Sequence, residues 1–211
     1  EREIEAIMDL EFARRGAAGP GYGAIVGSGP NSLVLHYNAS NRVMQDGEVL
    51  LVDYGPELDH YIIDVTRTWP INGKFTARQA ELYDAVLAAQ LAGIAQCKPG
   101  NTILDVGRAA NAELRQRGFG RLIRHGVSHL IGMEVHDPGI LRRPLVPGVC
   151  FTVEPGIYEP ETNIGIRIED VVVITEDGCR VITKEIPKER AAIEALWQQQ
   201  GPLEVVPDSA R

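Results

Sequence analysis

The 211 residues are 44% hydrophobic and 24% charged, which excludes disordered and fibrous classes and leaves enough chain to bury a sizeable core, as one large or two small domains. A formal net charge of −8 argues against nucleic acid as a partner, because neutralising phosphate needs a basic surface. No apolar run reaches transmembrane length and nothing resembles a signal peptide, so no membrane role is expected; Cys97, Cys150 and Cys179 are too widely spaced for a zinc pattern or a disulfide framework, which points to a reducing, cytoplasmic compartment.

In chain order, Ile4, Ile7, Met8, Glu11 and Phe12 follow the 3.6-residue period and predict a helix over 3–15 that stops at Gly16. After a Gly/Pro-rich stretch, 24–27 and 32–37 read as short strands. An acidic hairpin follows, in which Asp53 interrupts one apolar run and Asp64 another. Thr76 with Gln79 forms a capping box for a long helix through about Ala95, ended by Pro99-Gly100, and Thr102 caps another that stops at Gly118. His125, His129 and His136 then fall within one short segment. A second acidic hairpin, carrying Glu154 and Glu169, extends past Asp177-Gly178 into a further strand. Pro187 marks the start of a last helix through Trp197, and 201–211 is expected to be a loose tail outside a domain spanning 1–200.

The second hairpin is the most informative stretch. Phe151 and Val153 alternate with Thr152 and Glu154, and Ile166 and Ile168 with Arg167 and Glu169, so both acids share a polar face with Arg167. Folding back through 160–163 pairs 154 with 169. Opposed acids repel, and burying them unpaired is prohibitively costly, so either both reach water on a solvated hairpin face or a cation sits between them; a second copy of the arrangement favours the cation. The first hairpin repeats the arrangement: pairing 53 with 64 centres a two-residue turn between Leu58 and Asp59, although that turn lacks the Gly or Asn a tight primed turn prefers.

The order helix, histidine, acidic hairpin thus occurs twice, over 3–68 and over 102–175. The second copy is preceded by the helix from Thr76 and the first has no such partner, so a helix upstream of this chain is expected. A start at Glu1 rather than Met fits that expectation. Four carboxylates and an imidazole suit a borderline-hard divalent ion, Mn²⁺, Fe²⁺, Co²⁺ or Zn²⁺. Two such ions about 3.5 Å apart would acidify a shared water and polarise a carbonyl, which is hydrolytic chemistry.

Seven stretches in order, Leu35-His36-Tyr37, Val52-Asp53-Tyr54-Gly55, Asp64-Val65-Thr66-Arg67-Thr68-Trp69, His125-Gly126-Val127-Ser128-His129, Val135-His136-Asp137, Thr152-Val153-Glu154-Pro155-Gly156 and Gly165-Ile166-Arg167-Ile168-Glu169-Asp170, resemble the Xaa-Pro aminopeptidase and prolidase branch of the dinuclear metallopeptidases. The resemblance implies an α+β pita-bread fold: duplicated half-domains related by a pseudo-twofold axis, with a curved, mainly antiparallel sheet covered by helices. It also implies that Asp53, Asp64, His129, Glu154 and Glu169 hold two divalent ions, manganese foremost, with Asp64 and Glu169 bridging. Glu154 would shuttle the proton, and His36 and His136 would orient substrate and stabilise the tetrahedral intermediate. His125, Tyr158 and Arg167 would line the proline side of the pocket, Arg167 having a second reading as a structural partner of Asp170 or of the metal carboxylates.

The activity implied is hydrolysis of the bond before a penultimate proline in a peptide substrate. Prolidase action on dipeptides, methionine aminopeptidase activity, a metal-independent amidinohydrolase and a non-catalytic peptide-binding module are the alternatives. Relatives carry a separate N-terminal domain that often mediates oligomerisation, so a homo-oligomer stays open. His60 reads as a surface residue, Met8, Met44 and Met133 as packing, and Gly27, Gly29 and Pro30 do not complete a phosphate loop.

Overall fold

The computed structural model describes residues 1–199; the expected tail over 201–211 lies outside them. The first half runs α1 (Arg2–Arg14), β1 (Gly19–Pro20), β2 (Ile25–Ser28), a 3-10 turn (Gly29–Leu33), β3 (Val49–Asp53), β4 (Pro56–Leu58), β5 (Tyr61–Ile62) and β6 (Thr66–Pro70). Two long helices follow, α2 (Ala77–Ile94) and α3 (Ile103–Gln116). The second half then runs β7 (Cys150–Val153), β8 (Gly156–Glu159), β9 (Ile164–Arg167), β10 (Asp170–Ile174), β11 (Cys179–Val181) and α4 (Arg190–Leu196).

The strand pairings are antiparallel, in the orders β2-β3-β6, β11-β10-β7, β8-β9 and β1-β4-β5. The two halves repeat one plan, for β3 lies between β2 and β6 as β7 lies between β10 and an isolated bridge from Leu130 to Phe151. They join where the Glu169 amide donates to the Thr66 carbonyl at 3.0 Å and the Arg167 amide to Thr68 Oγ1 at 3.2 Å.

The second hairpin has the expected register. Gly156 opposes Arg167 and Val153 opposes Asp170, which brings Glu154 and Glu169 together. The first hairpin does not: Asp53 opposes Thr66, not Asp64, and Leu58 opposes Tyr61. The two-residue turn is Asp59-His60, both at positive φ, 50° and 69°. Asp and His enter this region more readily than most side chains, so the turn forms one residue later than expected. A two-residue change of partner preserves side-chain parity, and both aspartates stay on one face. His60 lies exposed at that turn.

The strand expected over 32–37 is absent. Pro30 opens the 3-10 turn, and Ser32 Oγ donates to the Gly29 carbonyl at 2.6 Å while accepting from the Gly165 amide at 2.8 Å. The alternation of Leu33, Leu35 and Tyr37 reflects packing on Ile25, Leu51 and Tyr158, not a ladder.

The expected capping box of Thr76 with Gln79 forms, and Thr102, expected as a cap, forms a second box with Asp105, each contributing about 1 kcal/mol to its helix start. Leu82, Val86 and Ala89 of α2 pack with Val106 and Ala110 of α3 onto Phe151, Val153, Ile166 and Ile168. Gly93 permits the close approach, since a Cβ there would stand 3.1 Å from Val153 Cγ1. The first half is covered less: no residue of α1 is fully buried. Between Ile4, Met8 and Phe12 of α1 and Leu50, Val52 and Trp69 of the sheet lies an apolar groove of about 430 Å³.

Candidate metal centre and surrounding pocket

The acidic strand ends converge on a cavity of about 250 Å³ lined by Asp53, Asp64, His129, Glu154 and Glu169, with His36, His136, Arg167 and Tyr22 around them. Asp64, His129 and Glu169 offer ligand atoms that all lie within 4.8 Å of one another. His129 Nε2 stands 3.4 Å from Asp64 Oδ2 and 3.3 Å from Glu154 Oε1. Its Nδ1 lies 3.1 Å from the Leu130 carbonyl, which requires the proton on Nδ1 and leaves the Nε2 lone pair for a cation.

The acids are held from behind. Thr66 Oγ1 donates to Glu169 at 2.7 Å and Thr152 Oγ1 to Glu154 at 3.3 Å. Asp53 accepts from Arg167 Nη2 at 2.6 Å, and the Tyr22 hydroxyl stands 2.8 Å from Asp53 Oδ1 and 2.6 Å from Asp64 Oδ1. Sequence reasoning missed Tyr22: it lies in the Gly/Pro-rich stretch without periodicity, and its framing by Gly21 and Gly23 is the one signal it gives.

The electrostatics disfavour four ionised acids together. Burial, then repulsion from Asp64, Glu154 and Asp53, pushes the Glu169 carboxyl well above the usual range. Burial carries Glu154 to about 7 and raises Asp53 against the opposing pull of Arg167. Burial would raise Asp64 too, but hydrogen bonds from His129 and Tyr22 prevail and lower it. For His129, burial is outweighed by Asp64 and Glu154, and its pKa rises. Four carboxylates with one arginine and one imidazole cannot all ionise here unless positive charge is added. This donor set fits hard or borderline divalent ions.

Of the expected pocket residues, His36, His136 and Arg167 line the cavity, and the His136 ring stands edge-on to His129 with centroids 4.2 Å apart. Arg167 is buried and pairs with Asp53; its reading as a partner of Asp170 gives way, because Asp170 pairs with Arg67 at 2.8 Å and Lys188 at 2.6 Å. Tyr158 is buried behind the wall, whereas His125 is partly exposed and its Nδ1 stands 3.8 Å from Glu154 Oε2. Arg167 Nη1 donates to the Tyr158 hydroxyl at 2.8 Å, which lies 2.8 Å from His125 Nε2. His125 Nδ1 is 2.6 Å from the Gly126 carbonyl, so Nδ1 carries the proton and Nε2 accepts from Tyr158. Burial, with Arg167 nearby, holds His125 down at about 4, a neutral ring at neutral pH.

A mitochondrial intermediate cleaving peptidase 55 of Arabidopsis thaliana is 39% identical over 92% of this chain and 43% of its own length. The Xaa-Pro aminopeptidase of Escherichia coli is 38% identical over 93% of this chain and 51% of its own length. A structure of zinc-substituted E. coli aminopeptidase P in complex with product superposes with a TM-score of 0.87 at 37% identity, covering 95% of this chain and 53% of that one. The chain therefore spans about half the length of these relatives and shares the pita-bread fold that the family resemblance implies. No helix among the described residues is long and apolar enough to cross a membrane. With the converging acids and this likeness together, the chain belongs to metallopeptidase family M24, whose model matches residues 1–176.

Proposed function

We propose that this chain is the catalytic part of an Xaa-Pro aminopeptidase, releasing the N-terminal residue of a peptide with proline in second position. The observation that carries the reading is the convergence of Asp64, His129 and Glu169 within 4.8 Å, flanked by Asp53 and Glu154. In the reading, these five residues hold two divalent ions, manganese foremost and zinc, cobalt or iron as alternatives. When bound, the ions supply Lewis acidity and an acidified water.

The chain's own residues do the rest. Glu154 stands beside His129 at the cavity wall, where its carboxylate accepts a proton from the attacking water and returns it to the leaving nitrogen. His36 and His136 face the cavity and orient the scissile carbonyl, donating to the oxyanion as it develops. Tyr22 and Arg167 hold Asp53 in place. His125 and Tyr158 set the position of Arg167 and shape the proline side. An Xaa-Pro bond is a tertiary amide without N–H, and direct polarisation of its carbonyl does not need one.

The apolar groove beside α1 supports a helix upstream of Glu1, taking the place that α2 takes beside α3. A chain extended upstream through such a helix is expected to bind less of a hydrophobic dye than the 211-residue chain. Three free cysteines support a reducing, cytoplasmic setting.

The test is competition between Ala-Pro-Ala and Met-Ala-Ser peptides with metal-stripped protein and each metal returned in turn. Preference for Ala-Pro-Ala is expected. Preference for Met-Ala-Ser would move the reading to a methionine aminopeptidase, and cleavage restricted to Ala-Pro would make it a prolidase. No cleavage and no Mn²⁺ binding at micromolar levels would leave a binding module.

A further inference from the structure

The passage from Ser28 to Arg42 carries His36 and Asn38 to the cavity wall, yet beyond the 3-10 turn at Gly29–Leu33 it contains no regular structure. Without a ladder, something else must fix where His36 stands. One side of the passage is held by Leu33, Leu35 and Tyr37 packing on Ile25, Leu51 and Tyr158. Its two ends are held by a single carboxylate.

Glu1, immediately before α1, is only 6% exposed. Its Oε1 accepts from the Ser28 amide at 2.7 Å, Ser28 Oγ at 2.8 Å and Asn31 Nδ2 at 3.0 Å. Its Oε2 accepts from the Tyr37 hydroxyl at 2.8 Å and the Arg42 amide at 2.8 Å. One oxygen thus holds the entry of the loop and the other its exit, and Tyr37 adjoins His36 in sequence. Arg42 adds a second tie, donating to Ser28 Oγ at 3.0 Å while pairing with Glu48. Five donors on one buried carboxylate are far more than a helix start requires, since an N-cap side chain satisfies one or two amides, and here none of the five donors belongs to α1.

We propose that Glu1 is a positioning residue for His36, closing the Ser28–Arg42 loop so that the imidazole meets the substrate carbonyl. The proposal rests on the peptidase reading for its catalytic consequence and on geometry alone for its structural one. Glu1 touches neither substrate nor metal ligands and acts only through the loop. A glutamine would present donors to donors at one oxygen, and an aspartate is too short to span both ends.

Turnover of Ala-Pro-Ala, Mn²⁺ affinity by calorimetry and amide hydrogen exchange are measured for the wild type, E1Q, E1D, H36A and E1Q/H36A. Both Glu1 variants are expected to lose about 10-fold or more in kcat/KM, the scale on which misplacement of a reacting group acts, with Mn²⁺ affinity kept. Exchange is expected to rise within 29–42 while the α2 amides keep their protection. In the H36A background E1Q should cost nothing further. Wild-type turnover and loop exchange in E1Q would overturn the proposal, as would an equal loss in the presence and absence of His36 or a loss of Mn²⁺ affinity. If the wild type cleaves no Xaa-Pro peptide, the peptidase reading fails by itself, and the exchange data still decide whether Glu1 closes the loop.

Discussion

His129 Nε2 faces Asp64 Oδ2 across 3.4 Å, and the sequence separates them by more than sixty positions. The imidazole comes from the segment before β7 and the carboxylate from the segment before β6, so the contact exists only because the two halves of the fold meet. The acids around it, above all Glu169, are poised for cations at the expense of the metal-free protein.

That expense is measurable. Glu169 is 1% exposed, with Thr66 Oγ1 as its side-chain hydrogen-bond donor. Replacing it by glutamine removes an acid that the metal-free fold must hold protonated, at a cost set by its raised pKa. E169Q is expected to raise the Tm of the chelator-treated protein by about 2 to 4 °C, equivalent to roughly 1 kcal/mol, while losing Mn²⁺ binding and turnover. A lower Tm for metal-free E169Q would count against the charge argument.

Metal loading should displace protons. With Glu154 at about 7 and Glu169 and His129 raised, the metal-free site holds protons near neutrality that ligation must expel. Calorimetric titration with Mn²⁺ at pH 6 in buffers of different ionisation enthalpy is expected to show proton release that shrinks as pH rises above about 8. Buffer-independent heats at pH 6 would refute it.

The sequence made much of this legible and the structure shows why the rest was not. In the second hairpin, alternation put Glu154 and Glu169 on one face, and folding back through the turn-rich 160–163 gave the pairing that forms. In the first, the turn Asp59-His60 takes a left-handed backbone without the glycine or asparagine that advertises it, so the pairing slipped by two and only parity was recovered. Leu33, Leu35 and Tyr37 alternate like a strand but sit on a loop tied by Ser32 and Glu1, contacts to residues remote in sequence. Arg167, Tyr158 and His125 form one hydrogen-bonded chain, but no one-dimensional pattern shows that Tyr158 lies buried behind the cavity wall.

A second buried network holds the C-terminal segment to the site. Asp170 is fully buried between Arg67 and Lys188, while Arg67 also donates to the Pro187 and Ile186 carbonyls at 3.0 and 2.8 Å. Removing the carboxylate leaves both cations unpaired. D170A is expected to lose about 3 to 5 kcal/mol in urea unfolding, whereas truncating the exposed Lys184 should cost less than about 0.5 kcal/mol. Similar values for the two would contradict the assignment.

Glu1 gives a pH signature. Burial would raise its carboxyl, but the hydrogen bonds from Asn31, Ser28 and Arg42 lower it from 4.5 to about 2. A depressed folded pKa means that the stabilisation is present above the unfolded value and is lost as pH falls through the folded one. The wild type should exceed E1Q in stability by about 1 to 3 kcal/mol at pH 7, the gap closing as pH falls from about 5 towards 2. A gap that persists unchanged at pH 2 would remove the charge from the explanation.

The most direct test of the whole account is anomalous X-ray diffraction from crystals loaded with Mn²⁺. The expected result is two manganese peaks per chain, about 3.5 Å apart, with Asp64 and Glu169 reaching both, Asp53 one, and His129 and Glu154 the other. A single peak, or manganese bound away from these five residues, would contradict it.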